Sequence, residues 1–193
     1  MTTYKSIAYS PLSEGGSRVL ISELTASSSS TVSFTGGLDS AYKEYLFTFN
    51  RVSSSIDGGQ LSMNGSADAG SNYNVTKTTT FFAAQHNEAD DDTDLSYNTS
   101  KDLAQGTGAA IISYGTGNAA DEVVSGYMYL YSPSDTTFIK NFIINANTKH
   151  QSDYSIQSLV AGYFNTTSAI DAIQFSFDSG NMDSGTFKLY GVK

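Results

Sequence analysis

The chain has no cysteine and no tryptophan, and only 2 prolines and 2 histidines. Without thiols there is no disulfide framework, no thiolate zinc site and no cysteine nucleophile. With histidine confined to His86 and His150, any imidazole acid, base or ligand has to be one of those two. Cations are scarce as well: 10 Lys and Arg against 19 Asp and Glu give a formal net charge of −9. A surface that binds nucleic acid by neutralising phosphates needs the opposite balance, so the charge argues against that partner class and none is expected. No apolar run approaches membrane-spanning length. The opening "MTTYKSIAYSPLSEGG" lacks a basic segment followed by an apolar one, so the N-terminus is expected to be unprocessed.

What the chain has is glycine, 17 residues, with 13 Tyr and 11 Phe among 193. That mixture suits a glycine-turned all-β domain, and the length suits one domain with a short arm. Residues 1–17 have apolar residues but no sustained period and are expected to form an extended N-terminal arm. Tyr4, Ile7, Tyr9 and Leu12 are its candidate partner-binding residues. Residues 18–193 are expected to form an antiparallel two-sheet sandwich, jelly-roll-like in kind.

Period-two runs mark the strands. "RVLISEL" alternates Val19, Ile21 and Glu23 against Leu20, Ser22 and Leu24. "EYLFTFNRV" puts Tyr45, Phe47 and Phe49 on one face, and the turn residues Asp57, Gly58 and Gly59 then predict a hairpin into "QLSMNGS". "YNVTKTTTFF", "AAIISY", "FIKNFIINAN" and "SIQSLVAGYF" add strands. In "EVVSGYMYLYS", Val124, Met128 and Leu130 oppose Val123, Tyr127, Tyr129 and Tyr131, and both faces are expected to be covered. The ending "FSFDSGNMDSGTFKLYGVK" reads as a closing antiparallel hairpin that finishes the domain without a tail. Between Ala83 and Thr107 the period is lost, predicting a long polar loop.

That loop carries "HNEADDDTD". As a calcium or magnesium site it would use Asp90, Asp92 and Asp94, with His86 and Glu88 nearby. The spacing is not an EF-hand: counting from Asp90, the glycine position holds Leu95 and the closing acid position holds Lys101. The segment is therefore read as a solvated acidic loop with no resident metal or cofactor. No G-x-S-x-G elbow, P-loop or dinucleotide fingerprint occurs, and no carboxylate pair stands out among 19 acids. The chain is not expected to be an enzyme.

At "LDSAYKEYLFTFNRV", "GSNYNVTKTTTFF", "HNEAD" and "VAGYFNTTSAIDAIQFSFDSGNMDSGTFKLYGVK", the sequence resembles a group of small bacteriophage proteins from phages of marine and freshwater bacteria. The resemblance runs from about Leu38 to the C-terminus, and Ser179 to Gly191 is its most specific part. It implies a virion structural protein, assembled in the host cytoplasm, in one of two roles. In the first, the chain decorates or cements the head shell. Edge strands that can pair with another chain suggest a homo-oligomer, expected to be a trimer. The N-terminal arm, which lies outside the resemblance, is expected to clamp onto the major capsid protein of the shell or onto a neighbouring subunit. In the second, it is a tail-fibre or receptor-binding module contacting host glycan through His86, Tyr127, Tyr129 and Tyr131, since tyrosine offers an apolar ring beside a hydroxyl. The resemblance brings no catalytic residue with it. The absence of a coiled-coil or collagen-like stalk favours the first role.

Overall fold

The computed structural model describes residues 17–193, which form an all-β sandwich of two antiparallel sheets. The strands are β1 (Arg18–Ser29), β2 (Val32–Phe34), β3 (Glu44–Ser54), β4 (Leu61–Ser66) and β5 (Lys77–Asn87). Then come β6 (Thr93–Tyr97), β7 (Leu103–Gly106), β8 (Ala110–Ile111) and β9 (Val123–Tyr131). The last are β10 (Lys140–His150), β11 (Tyr154–Phe164), β12 (Ala172–Phe177) and β13 (Met182–Val192). The larger, nine-stranded sheet runs β1-β13-β3-β9-β10-β11-β5-β6, with β7 on the same edge of β5 as β6. The smaller runs β2-β12-β4-β8. The sandwich expected from the period-two runs is thus what forms, with a nine-to-four split of strands rather than the eight-stranded arrangement of a jelly roll.

Alternation drives one face of each sheet into a shared core. Phe47, Phe49 and Phe187 of the larger sheet meet Phe34 and Phe175 of the smaller, with ring centroids 5.3 Å apart for Phe34–Phe47 and 5.2 Å for Phe175–Phe187. At the other end Phe164 of β11 lies against Gly65 of β4, where a Cβ would sit 2.7 Å from its ring. A side chain at Gly65 would hold the sheets apart. Phe164 also stands in register between Lys140 and Lys77 on the core side. Lys140 Nζ donates to the carbonyls of Phe138, Thr166 and Thr167 at 2.9, 3.2 and 2.9 Å. Lys77 Nζ has one acceptor, the Gly108 carbonyl at 2.6 Å, and burial pushes its pKa down to about 8.

Several local expectations are corrected by the pairing. The C-terminal runs are not a hairpin: β12 pairs with β2 and β4, whereas β13 pairs with β1 and β3 in the other sheet. The turn at Asp57 to Gly59 likewise carries the chain from β3 in one sheet to β4 in the other. Turn residues reverse the chain in either case, and only the distant partner decides whether the reversal is a hairpin. The segment from Ala83 to Thr107 is not a loop, because it completes β5 and supplies β6 and β7. In "RVLISEL", a bulge at Ile21 shifts the register between Leu20 and Ser22, so Leu24, opposite Phe187, turns to the core and Glu23, opposite Lys188, turns away. Tyr4, Ile7, Tyr9 and Leu12 lie outside the described residues, as does nearly all of the expected arm.

Candidate functional site

The outer faces of the two sheets differ in chemistry. On the smaller sheet the outward positions are Ser33, Gln174, Ser176, Ser62 and Asn64, by register. They satisfy one another: Gln174 Nε2 donates to Ser33 Oγ at 3.0 Å, and Ser62 Oγ to the Ser176 carbonyl at 3.0 Å. Asn64 Nδ2 donates to the Thr107 carbonyl at 3.0 Å, which ties the loop after β7 to this face. Ser62 and Asn64 are buried in consequence.

On the larger sheet the outward positions line up in cross-strand rows. One row is Leu20, Tyr190, Leu46, Tyr129 and Ile143, running from β1 to β10. The next contains Tyr127, Asn145, Leu159, Phe82 and Tyr97, running from β9 to β6. A third carries Ser125, Asn147, Gln157, Ala84 and Leu95. Ile143, Leu159 and Phe82 are 47, 44 and 44 % exposed, although nothing in the fold requires apolar residues to face outward here. Between the ridges lie two shallow concavities. One, of about 430 Å³, is lined by Ala84, His86, Asn145, Asn147 and Gln157, and the other, of about 400 Å³, by Thr80, Ile143, Ala161, Gly162 and Tyr163. The amides are already ordered: Gln157 Nε2 donates to Asn145 Oδ1 at 3.2 Å and Asn147 Nδ2 to Ser155 Oγ at 3.0 Å.

The tyrosine stripe lies on this face, so the expectation that both sides of β9 are covered is corrected. Val124, Met128 and Leu130 are fully buried, while Tyr127 is 39 % exposed and Tyr129 and Tyr131 are half-buried. Their rings pack on one another. Tyr127 meets Tyr129 edge-on at 5.7 Å, and Tyr129 and Tyr131 are stacked at 6.4 Å with planes 15° apart. The Tyr127 hydroxyl accepts from Asn145 Nδ2 at 3.4 Å, and the Tyr129 hydroxyl accepts from Arg18 at 3.3 Å. His86 belongs to β5, three strand spacings from β9, or about 14 Å. It is not beside the tyrosines.

His86 sits instead at the acidic β5–β6 turn, its Nε2 3.0 Å from Asp90 Oδ1. The three candidate cation ligands are not brought together. Asp90 goes to His86, Asp92 Oδ2 accepts from the Tyr154 hydroxyl at 2.8 Å, and Asp94 Oδ2 accepts from Ser96 Oγ at 2.6 Å. That bond to Asp92 holds the Tyr154 phenol above its usual pKa. Lys149 bridges Glu88 and Asp153 at 3.3 and 2.6 Å. Among the described residues, no group of three or more His, Asp or Glu is placed to hold a metal ion.

Compared with protein-family models, curated proteins and solved structures, the chain matches none. The candidate site therefore stands on its own geometry. The residues that define it beyond the tyrosines, Ile143, Leu159 and Phe82, have one signal in the sequence: the doublets Phe81-Phe82, Ile143-Ile144 and Leu159-Val160. In a strand, neighbours point to opposite faces, so an apolar doublet places one member outside the core. In each doublet the inward member is at most 2 % exposed.

Proposed function

We propose that this protein is a bacteriophage virion structural protein, in the first instance a decoration or cement protein on the outer surface of the head shell. The observation that carries the reading is the apolar, open outer face of the larger sheet beside the sealed polar outer face of the smaller one. A protein surface of aromatic and aliphatic side chains depleted in charge fits burial against another protein. The resemblance from Leu38 onward directs that contact to a virion. In this reading the major capsid protein is the partner, and residues 1–17 are the segment proposed to bind it.

The half-exposed Tyr127, Tyr129 and Tyr131 favour a second reading, a tail-fibre or receptor-binding module that stacks its rings on host glycan. Rings packed edge-on and against each other offer their rims to a sugar more than their faces, so this reading ranks second. Immunogold labelling of intact virions with antibody to this protein separates the two. Label spread over the head supports decoration, label confined to the tail moves the function to the appendage, and unlabelled particles overturn both.

A further inference from the structure

We propose that the outer face of the larger sheet is the surface on which two copies of this chain pair. The inference rests on reading that face as a protein-binding surface, and it names the occupant.

Charge selects the partner. Two copies of a molecule with formal net charge −9 repel each other. They approach at least cost through a surface that carries no charge. From β9 to β6, the three outward rows contain no Asp, Glu, Lys or Arg, and charged residues stand at their borders, Glu44 beside Tyr131, Arg51 beside Ser125 and Lys149 beyond Asn147. The acids Asp90, Asp91 and Asp92 gather in the turn between β5 and β6, and Glu88, at its start, is held by Lys149 at the border of the rows. A basic partner would be met by carboxylates, and these rows have none to offer. A copy of the same face asks for none.

Area and shape agree. Five strands at about 4.8 Å spacing, crossed by three rows about 6.8 Å apart, cover about 500 Å² in projection. That is of the order of the roughly 800 Å² each partner contributes to a standard interface. Sheets stack face to face at about 10 Å when their side chains interdigitate, and the ridges of Ile143, Leu159 and Phe82 flank concavities of about 430 and 400 Å³ that would receive them. The amides of Asn145, Asn147 and Gln157 already hydrogen-bond to neighbours on the face, so burying them strands few polar groups. A patch that meets its own copy closes as a two-fold pair, so this contact makes a dimer in place of the trimer expected from the sequence.

The test is the mass of the full chain in solution by sedimentation, from about 1 to 100 μM. The wild type is expected to run as a dimer at the upper end. Ile143→Lys and Leu159→Glu, made separately and checked for native circular dichroism, are each expected to weaken association by about tenfold or more. Ser168→Lys adds a charge at an exposed loop position off the face and is expected to leave association intact. Raising salt is expected to tighten the dimer, because it screens repulsion between acidic copies and has no ion pair in this contact to weaken. A monomer at about 100 μM, an oligomer that survives both substitutions, or one that salt dissociates overturns the proposal. Virion labelling is a separate readout: a labelled head with a monomeric protein overturns self-pairing alone, and a dimer absent from virions overturns the virion reading alone.

Discussion

The outer faces of the two sheets are built under the same alternation rule and end in opposite states. On the smaller sheet every outward residue of β4 is polar, and Ser62, Asn64 and Ser66 are buried under the chain's own loops with hydrogen bonds made. On the larger sheet the outward rows carry Leu20, Ile143, Leu159 and Phe82, and they stay open. An antiparallel sheet with one solvated face ordinarily puts polar residues there. The molecule thus covers an all-polar face with its own loops and leaves open one on which large apolar side chains stand among amides. Stability of the single chain does not explain that allocation, and the self-pairing proposed above would.

The sharpest break of this comparison sets a core position against an outward one. Phe175 sits in the aromatic cluster between the sheets, and Phe175→Ala is expected to cost about 3–5 kcal/mol in denaturant unfolding. A loss under about 1 kcal/mol would mean that the sheets are not locked through this ring.

Next comes Lys77, the core cation with a single acceptor. Burial lowers its pKa to about 8, below the unfolded value, so the native state gives up its proton first. The unfolded chain then binds more protons, and stability rises as pH is raised from about 8 towards the ordinary lysine value, by at most about 3 kcal/mol. Urea titrations of wild type and Lys77→Met at pH values of about 7.5 and 9.5 should show this rise only in the wild type. Parallel slopes would place the proton elsewhere.

A smaller effect tests the sealed face. Asn64→Ala removes the bond to the Thr107 carbonyl and the one from the Gly65 N–H to Asn64 Oδ1, and it is expected to destabilise by about 1–3 kcal/mol. Hydrogen exchange near Thr107 should quicken along with that loss. Smallest of all, Leu159→Ser on the open face is expected to change the stability of the monomer by less than about 0.5 kcal/mol, measured at a concentration where copies do not meet. A larger loss would show that Leu159 supports the sandwich itself and would remove the contrast between the two faces.

Much of the fold was legible in the chain. Phe47 and Phe49, Val124, Met128 and Leu130, and Phe187 and Leu189 alternate as core residues do, and they are core residues. The period failed where the backbone departs from simple pleating, as at the bulge that turns Leu24 inward. It failed again at β6, whose residues are all exposed: a strand with neither face buried leaves no alternation to read. Of the site, Tyr127, Tyr129 and Tyr131 were legible as a stripe, but that His86 stands three strands away on the same sheet was not, because spacing along the chain says nothing about which strands lie between.

The sequence by itself determined the class of structure, an acidic all-β sandwich with aromatic core strands, because composition and period two act locally and repeat along the chain. Tertiary structure alone decided that β12 and β13 lie in different sheets, and that Ile143, Leu159 and Phe82 gather with the tyrosines on one face. Strand pairing is long-range: a turn fixes only that the chain reverses, and the partner is chosen by how the whole set of apolar faces can be buried at once. The outward members of the doublets become a surface only after that choice is made.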